Sequence, residues 1–337
     1  MTRLIRMILP AAAAALVAAS SCAPGPQWRV AEGAVWNTTY RITYLSTGDM
    51  TDSILAAMRE VELSLSPFNP ASRISLINRG EFLRADSLIL DVFNVSMTVC
   101  EASDGRFDPT VSPLVNLWGF GYTGKKSAAD RSRPSADSIA SALALVGLRE
   151  CRIDSAMNVV KKSQETTFNF SAVTKGYGCD RVGETLRRNA IDDYMVEIGG
   201  EIALAGRNPR GDLWHIQIDA PVVDHGASHT RLLTIATTDC GVATSGNYRN
   251  FRTDSLGNRI GHTVDPVTGL PFQSDVVAAT VVAADCATAD ALATACMAST
   301  AAEAERTVGA VAGASALLVV ARGDSLALIP TAGFPMP

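Results

Sequence analysis

Residues 280–295, Thr-Val-Val-Ala-Ala-Asp-Cys-Ala-Thr-Ala-Asp-Ala-Leu-Ala-Thr-Ala, constrain this chain more than any other stretch. The first part is β-branched and apolar, the composition of a buried strand. The second part is rich in Ala and Leu, the strongest helix formers. Asp285 stands between them, where a helix N-cap belongs. The stretch therefore predicts strand, short turn and helix. On that helix Asp290 and Thr294 are four residues apart and share a face. A carboxylate beside a hydroxyl is a hard-oxygen pair that suits Mg²⁺. By itself the pair reads more simply as an Asp and a Thr facing solvent on an Ala-rich helix.

The N-terminus predicts export. Arg3 and Arg6 form a positive region ahead of an apolar run over residues 8–19, and Ala19-Ser20-Ser21 precede Cys22. That run is too short for a membrane span and has the form of a signal peptide. A Cys after small residues has the pattern of a bacterial lipobox, with Cys22 as the lipidated first residue; an ordinary secretory signal is the alternative. Residues 1–21 are thus signal peptide, 22–34 a linker, and 35–337 the folded domain. Six cysteines remain without a C-x-x-C or Cys/His cluster, so zinc is not expected and buried free thiols are, for most of them. A net charge of −5 offers no basic surface for nucleic acid.

Along the domain, residues 35–44 alternate as a strand, and residues 51–65 predict an amphipathic helix with Ile54, Leu55, Met58, Val61 and Leu65 on one side. Residues 87–102 and 135–146 predict further helices. Two prolines make residues 107–114 a shaped loop, and residues 119–134 a polar surface excursion. Short strands are expected around 151–153, 159–162 and 167–170. Residues 171–178 then turn through Ser171, Lys175 and Gly176 into a helix over 179–188, aiming amides and an ammonium at one place, as an anion site would. It is not a P-loop, since the G-x-x-x-x-G-K spacing is missing. Residues 194–204 predict one strand interrupted at Gly199-Gly200, followed by strands over 213–219 and 232–237, a polar loop over 243–251, and a closing hairpin over 315–320 and 325–329.

Five blocks occur in an order that resembles one family: residues 107–121, 171–180, 196–201, 243–251 with 262–269, and 290–295. The chain resembles the ApbE family, the FAD:protein FMN transferases, formerly called thiamine-biosynthesis lipoproteins. The likeness runs from about Val35 to the C-terminus. It implies a mixed α+β fold of largely antiparallel sheets with helices on their faces, and two lobes around a flavin cleft. It also implies a reaction in which FAD is split, AMP leaves, and FMN is joined through its phosphate to a Thr or Ser of a target flavoprotein subunit of the redox-pump type. By motif, the family's Mg²⁺ ligands fall on Asp290, Thr294 and the carbonyls of Ala172 and Ala293. Its flavin contacts fall on Trp36, Phe68, Arg106, Phe107, Asp108, Asn169, Lys175 and Val264. Lys175 and the metal would face the diphosphate, and His262 would be the base on the acceptor hydroxyl. Asp290 is expected in a cleft that solvent reaches.

Five positions depart from the family pattern: Trp36-Asn37 for Met-Gly, Phe68 for Tyr, Asn169 for Asp, and Thr263 for Ile or Val. The departures around Trp36, Phe68 and Asn69 keep open an FAD pyrophosphatase giving FMN and AMP; a flavin-binding lipoprotein without catalysis is a further alternative, and requires that the metal ligands be idle. With the lipobox, the expected location is a bacterial membrane, lipid-anchored and facing the periplasm.

Overall fold

The computed structural model describes residues 25–121, 133–221, 231–246, 251–253, 259–261, 263–323 and 325–337. Strands β1 (Gln27–Val35) and β2 (Thr38–Ser46) form a hairpin, so most of the expected linker is a paired edge strand. The apolar alternation of β2 was legible; that of β1 is broken by Arg29, Glu32 and Gly33, because only Ala31 in β1 is buried. Trp36 and Asn37 make the two-residue turn, both at positive φ (48° and 61°), the backbone of a type I′ hairpin.

Helix α1 (Thr51–Leu65) buries Ile54, Ala57, Met58, Val61 and Leu65, whereas Leu55 faces solvent. Helix α2 (Arg73–Asn78), capped by Ser72, follows the Pro67–Pro70 turn and was not foreseen. Helix α3 (Ser87–Ala102) is capped by Asp86. Within the presumed loop over 107–114, helix α4 (Ser112–Leu117) begins, with Pro113 in its first turn, where no backbone N–H is required. Helix α5 (Ala136–Leu143) is capped by Ser135. Strands β3 (Arg152–Ile153) and β4 (Val159–Val160) are short, and no strand forms at 167–170.

Helix α6 (Ser171–Arg188) starts eight residues before the predicted helix, so the turn expected at 171–178 does not exist. Its glycines serve close approach rather than turning. A Cβ on Gly176 would lie 2.2 Å from the Cys286 carbonyl oxygen, and one on Gly178 would lie 2.5 Å from the Trp36 ring.

Strands β5 (Tyr194–Ile198) and β6 (Glu201–Ala205) are two strands joined by Gly199-Gly200, not one interrupted strand; both glycines have positive φ. Strands β7 (Trp214–Asp219) and β8 (Arg231–Thr237) pair with each other. Strand β9 (Cys240–Gly246) extends into the expected polar loop; β10 (Phe251–Thr253) pairs with β11 (Arg259–Gly261). Strand β12 (Val276–Ala283) and helix α7 (Cys286–Met297) form the predicted strand–turn–helix. Asp285 is its N-cap, accepting from Thr288 N at 2.7 Å. Asp285→Ala should lower stability by about 1 kcal/mol, seen as an earlier urea midpoint. Helix α8 (Ala301–Gly309) carries a Thr300/Glu303 capping box, and β13 (Ser315–Arg322) with β14 (Ser325–Pro330) closes the chain.

The main sheet has the order β1-β2-β5-β6-β9-β12-β13-β14, antiparallel at every pairing. The mixed α+β architecture is therefore as expected. Its alternation sorts the core into two sides. Ala279, Val281 and Ala283 of β12, with Ala316, Leu318 and Val320 of β13, pack with residues of α3, α6, α7 and α8. Val282 and Leu317 pack instead with Trp214, Ile216 and Ile235 of the β7–β8 ribbon. At the β1–β6 end, Tyr40, Ile42, Tyr194 and Val196 pack with α1 and α6. Two helices, α6 and α7, thus lie against one sheet face with little room between them.

The described cysteines are all free, and Cys100, Cys151, Cys179, Cys286 and Cys296 are buried. No described helix is long and apolar enough to cross a membrane.

Candidate active site

The crossing of α6 and α7 is fixed by backbone contacts. Asp180 accepts from Cys286 N at 2.9 Å and from Ala287 N at 2.8 Å. One turn earlier on α6, Gly176 N donates to Asp290 Oδ2 at 3.1 Å. As numbers fall on α6 they rise on α7, so the helices run antiparallel. One further turn brings Ala172 level with Ala293 and Thr294.

Next to Gly176 on α6, Lys175 faces two carboxylates. Its Nζ pairs with Glu201 Oε1, the first residue of β6, and it feels the charge of Asp290. Burial works against the ammonium, but the Asp290 and Glu201 charges outweigh it and raise the Lys175 pKa. The reverse holds for the acids. Burial, then the charge of Asp290, pushes Glu201 up to about 7. Burial likewise raises Asp290, against the pull of Lys175 and the Gly176 N–H. Asp290 is 3% exposed, so the expected solvent-reached cleft is corrected: the carboxylate is buried between two helices.

Lys175 also lines a cavity of about 580 Å³, together with Trp36 and Asn37 of the hairpin turn, Glu62 and Ser66–Asn69 at the end of α1, and Ser171 and Thr174 of α6. This volume and mixed lining are those of a small-molecule site. Trp36 holds a left-handed backbone that is unusual for a bulky residue, and such strain persists where its surroundings impose it. Its indole Nε1 is buried with no hydrogen-bond partner, so a donor stands unused at the cavity wall.

A match to the model of the ApbE family covers residues 36–318. The chain belongs to the ApbE family. Among its relatives, the FAD:protein FMN transferase of Vibrio cholerae serotype O1 is 33% identical over 302 residues, 87% of each chain. That of Haemophilus influenzae is 30% identical over 276 residues, 78% of each. The solved flavin transferase ApbE from Vibrio cholerae superposes with a TM-score of 0.79 at 30% identity, covering 92% of this chain and 98% of that one. The apo Pseudomonas stutzeri flavinyl transferase ApbE gives 0.78 at 28% identity, covering 91% and 95%.

The structure brings Trp36, Phe68 and Lys175 to one cavity and sets Asp290 behind Lys175. The remaining motif-matched flavin contacts lie outside the described lining of that cavity. Arg106 pairs with Asp265 at 3.3 Å and Glu303 at 2.9 Å and stacks over Phe272. Phe107 and Val264 are core residues. Asp108 is buried, its pKa raised by that burial, and it organises its own loop by accepting from Thr110 N and Oγ1 and from Leu148 N. Asn169 Oδ1 accepts from Ser171 N, so it fixes the start of α6. His262 and Cys22 lie outside the described residues.

Glu201 was not singled out by sequence. Its signal is there: the alternation of β6 puts it on the face of Ala203 and Ala205, so a carboxylate had to be buried. Lining residues such as Asn37 and Thr174 carry no such signal, because only the meeting of α1, α6 and the hairpin turn makes them neighbours.

Proposed function

We propose that this chain is a Mg²⁺-dependent FAD:protein FMN transferase. The observation that carries the reading is Lys175, which lines a ligand-sized cavity on one side and meets a buried carboxylate pair on the other. Its relatives bear that activity in their names.

The residues fit a cation. Two buried carboxylates, Asp290 and Glu201, face one ammonium, and Glu201 Oε2 is buried with no hydrogen-bond partner. By the family resemblance the ligands would be the Asp290 carboxylate, the Thr294 hydroxyl, and the carbonyls of Ala172 and Ala293; among the described residues no group of three or more His, Cys, Asp or Glu gathers. Mg²⁺ held there would neutralise charge on the diphosphate.

The chain's own residues then do the following. Trp36 and Phe68 hold the flavin, and Lys175 orients the diphosphate and draws off its charge. The acceptor Thr or Ser oxygen attacks the FMN phosphorus, the bond from that phosphorus to the bridging oxygen breaks, and AMP departs with that oxygen. His262 takes the proton that the acceptor hydroxyl loses. We further propose that Cys22 is lipidated after removal of residues 1–21, anchoring the enzyme to a bacterial membrane where it modifies periplasm-facing flavoprotein subunits.

With FAD, Mg²⁺ and such a subunit, the expected result is covalent flavin fluorescence on the subunit, abolished by EDTA and restored by added Mg²⁺. AMP released equally fast without the subunit would instead mark an FAD pyrophosphatase. FAD bound equally well with and without EDTA, and left intact for hours, would mark a binding protein. For the anchor, Cys22→Ala should release the protein from the membrane fraction; unchanged fractionation would contradict it.

A further inference from the structure

We propose that Glu201 is a positioning residue of this site: it fixes the Lys175 ammonium and supplies the second negative charge that draws the cation in. The proposal rests on the transferase reading above.

Glu201 is held rigidly. It follows the Gly199-Gly200 turn, whose closure is reinforced by Gly200 N donating to Glu197 Oε1 at 2.8 Å. Its backbone oxygen accepts from Cys179 Sγ at 3.2 Å, and Cys179 lies one turn beyond Lys175 on α6. Strand and helix are therefore tied at the level where the two side chains meet. The residue is 4% exposed. One carboxylate oxygen binds Lys175; the other, Oε2, is buried with no partner. Leaving a buried carboxylate oxygen unpartnered is costly, so a role in folding alone does not account for it.

The charge count explains the arrangement. With both carboxylates ionised, as a bound cation would hold them, Asp290, Glu201 and Lys175 together carry one net negative charge in a buried space, which favours a cation. Without the Glu201 charge the count is zero, and the freed Lys175 ammonium would turn to Asp290 and compete with the metal for its carboxylate. Glu201 thus keeps Lys175 off the metal ligand and directs it toward the cavity.

The test is Mn²⁺ binding to the full mature chain without FAD, followed by the resonance of free Mn²⁺. Glu201→Gln should weaken binding about tenfold or more, and Glu201→Asp, which keeps the charge, should stay within about threefold of the parent. Lys175→Gln should tighten binding about tenfold, and the double variant, with the parental charge count, should return to within about threefold of it. A structural role alone would not produce that return. Parental affinity in Glu201→Gln, or a double variant no tighter than Glu201→Gln, would overturn the proposal. Should Glu201→Gln fail to fold, Lys175→Gln decides: unchanged affinity contradicts the charge count. Asp290→Asn separates the two ideas. Parental affinity there, or no Mn²⁺ binding by the parent, would overturn the cation site itself, whereas loss there with none in Glu201→Gln would remove only Glu201.

Discussion

Asp290→Asn is expected to lower FMN transfer by about a thousandfold or more while the chain still folds. The side chain is buried on α7 and accepts from Gly176 N, so an amide of the same shape keeps that hydrogen bond and removes only the charge. What is lost is the anionic member of the proposed ligand set, on which an oxygen-only Mg²⁺ site depends most. Asp290→Ala is a poorer probe. It also strips the acceptor from a buried N–H, at a cost of about 1–3 kcal/mol, so lost activity would be mixed with lost stability. Thr294→Ala should do less damage, because water can replace a neutral hydroxyl. Flavin fluorescence on the acceptor, with urea unfolding as the control, reads both. A folded Asp290→Asn enzyme at near-parental rate would place the metal elsewhere.

Gly176→Ala is expected to destabilise the chain by about 3 kcal/mol and to remove transfer with it. The new Cβ would sit 2.2 Å from the Cys286 carbonyl oxygen and 2.9 Å from Asp290 Cβ. The closest obstacle is backbone, which has no rotamer to escape through, so α6 and α7 must separate. Separation pulls Lys175 away from Asp290. Gly309, at the end of α8, has nothing within 4 Å of its would-be Cβ. Gly309→Ala should therefore be neutral or raise stability by up to about 1 kcal/mol. Urea midpoints of the two variants on the same side of the parent would contradict this reading of the helix crossing.

The parts of the fold that could be read from sequence are those whose signal is local. Asp285 as an N-cap between an apolar strand and an Ala-rich helix gave β12 and α7, and the spacing of Ile54, Met58, Val61 and Leu65 gave α1. Helix α6 was misjudged at its start because Gly176 and Gly178 look like turn residues. Their reason for being glycine lies on other elements, at Cys286 and Trp36, far away in the chain. Edge strand β1 lacked alternation because it has little core to face. At the site, the resemblance named Lys175, Trp36 and Phe68 as neighbours, and the cavity joins them. Glu201 was missed because its partner Lys175 is 26 residues away. Arg106, a flavin contact by the resemblance, has ion pairs with Asp265 and Glu303 that join residues far apart in the chain and carry no local sequence signal.

The most direct test of the account is the intact mass of an acceptor subunit after incubation with this enzyme, FAD and Mg²⁺. The expected result is a gain of one FMN less one water, located on a Thr or Ser, with one AMP formed for each FMN attached. An acceptor of unchanged mass while AMP accumulates, or an acceptor modified equally well by the Asp290→Asn enzyme, would contradict it.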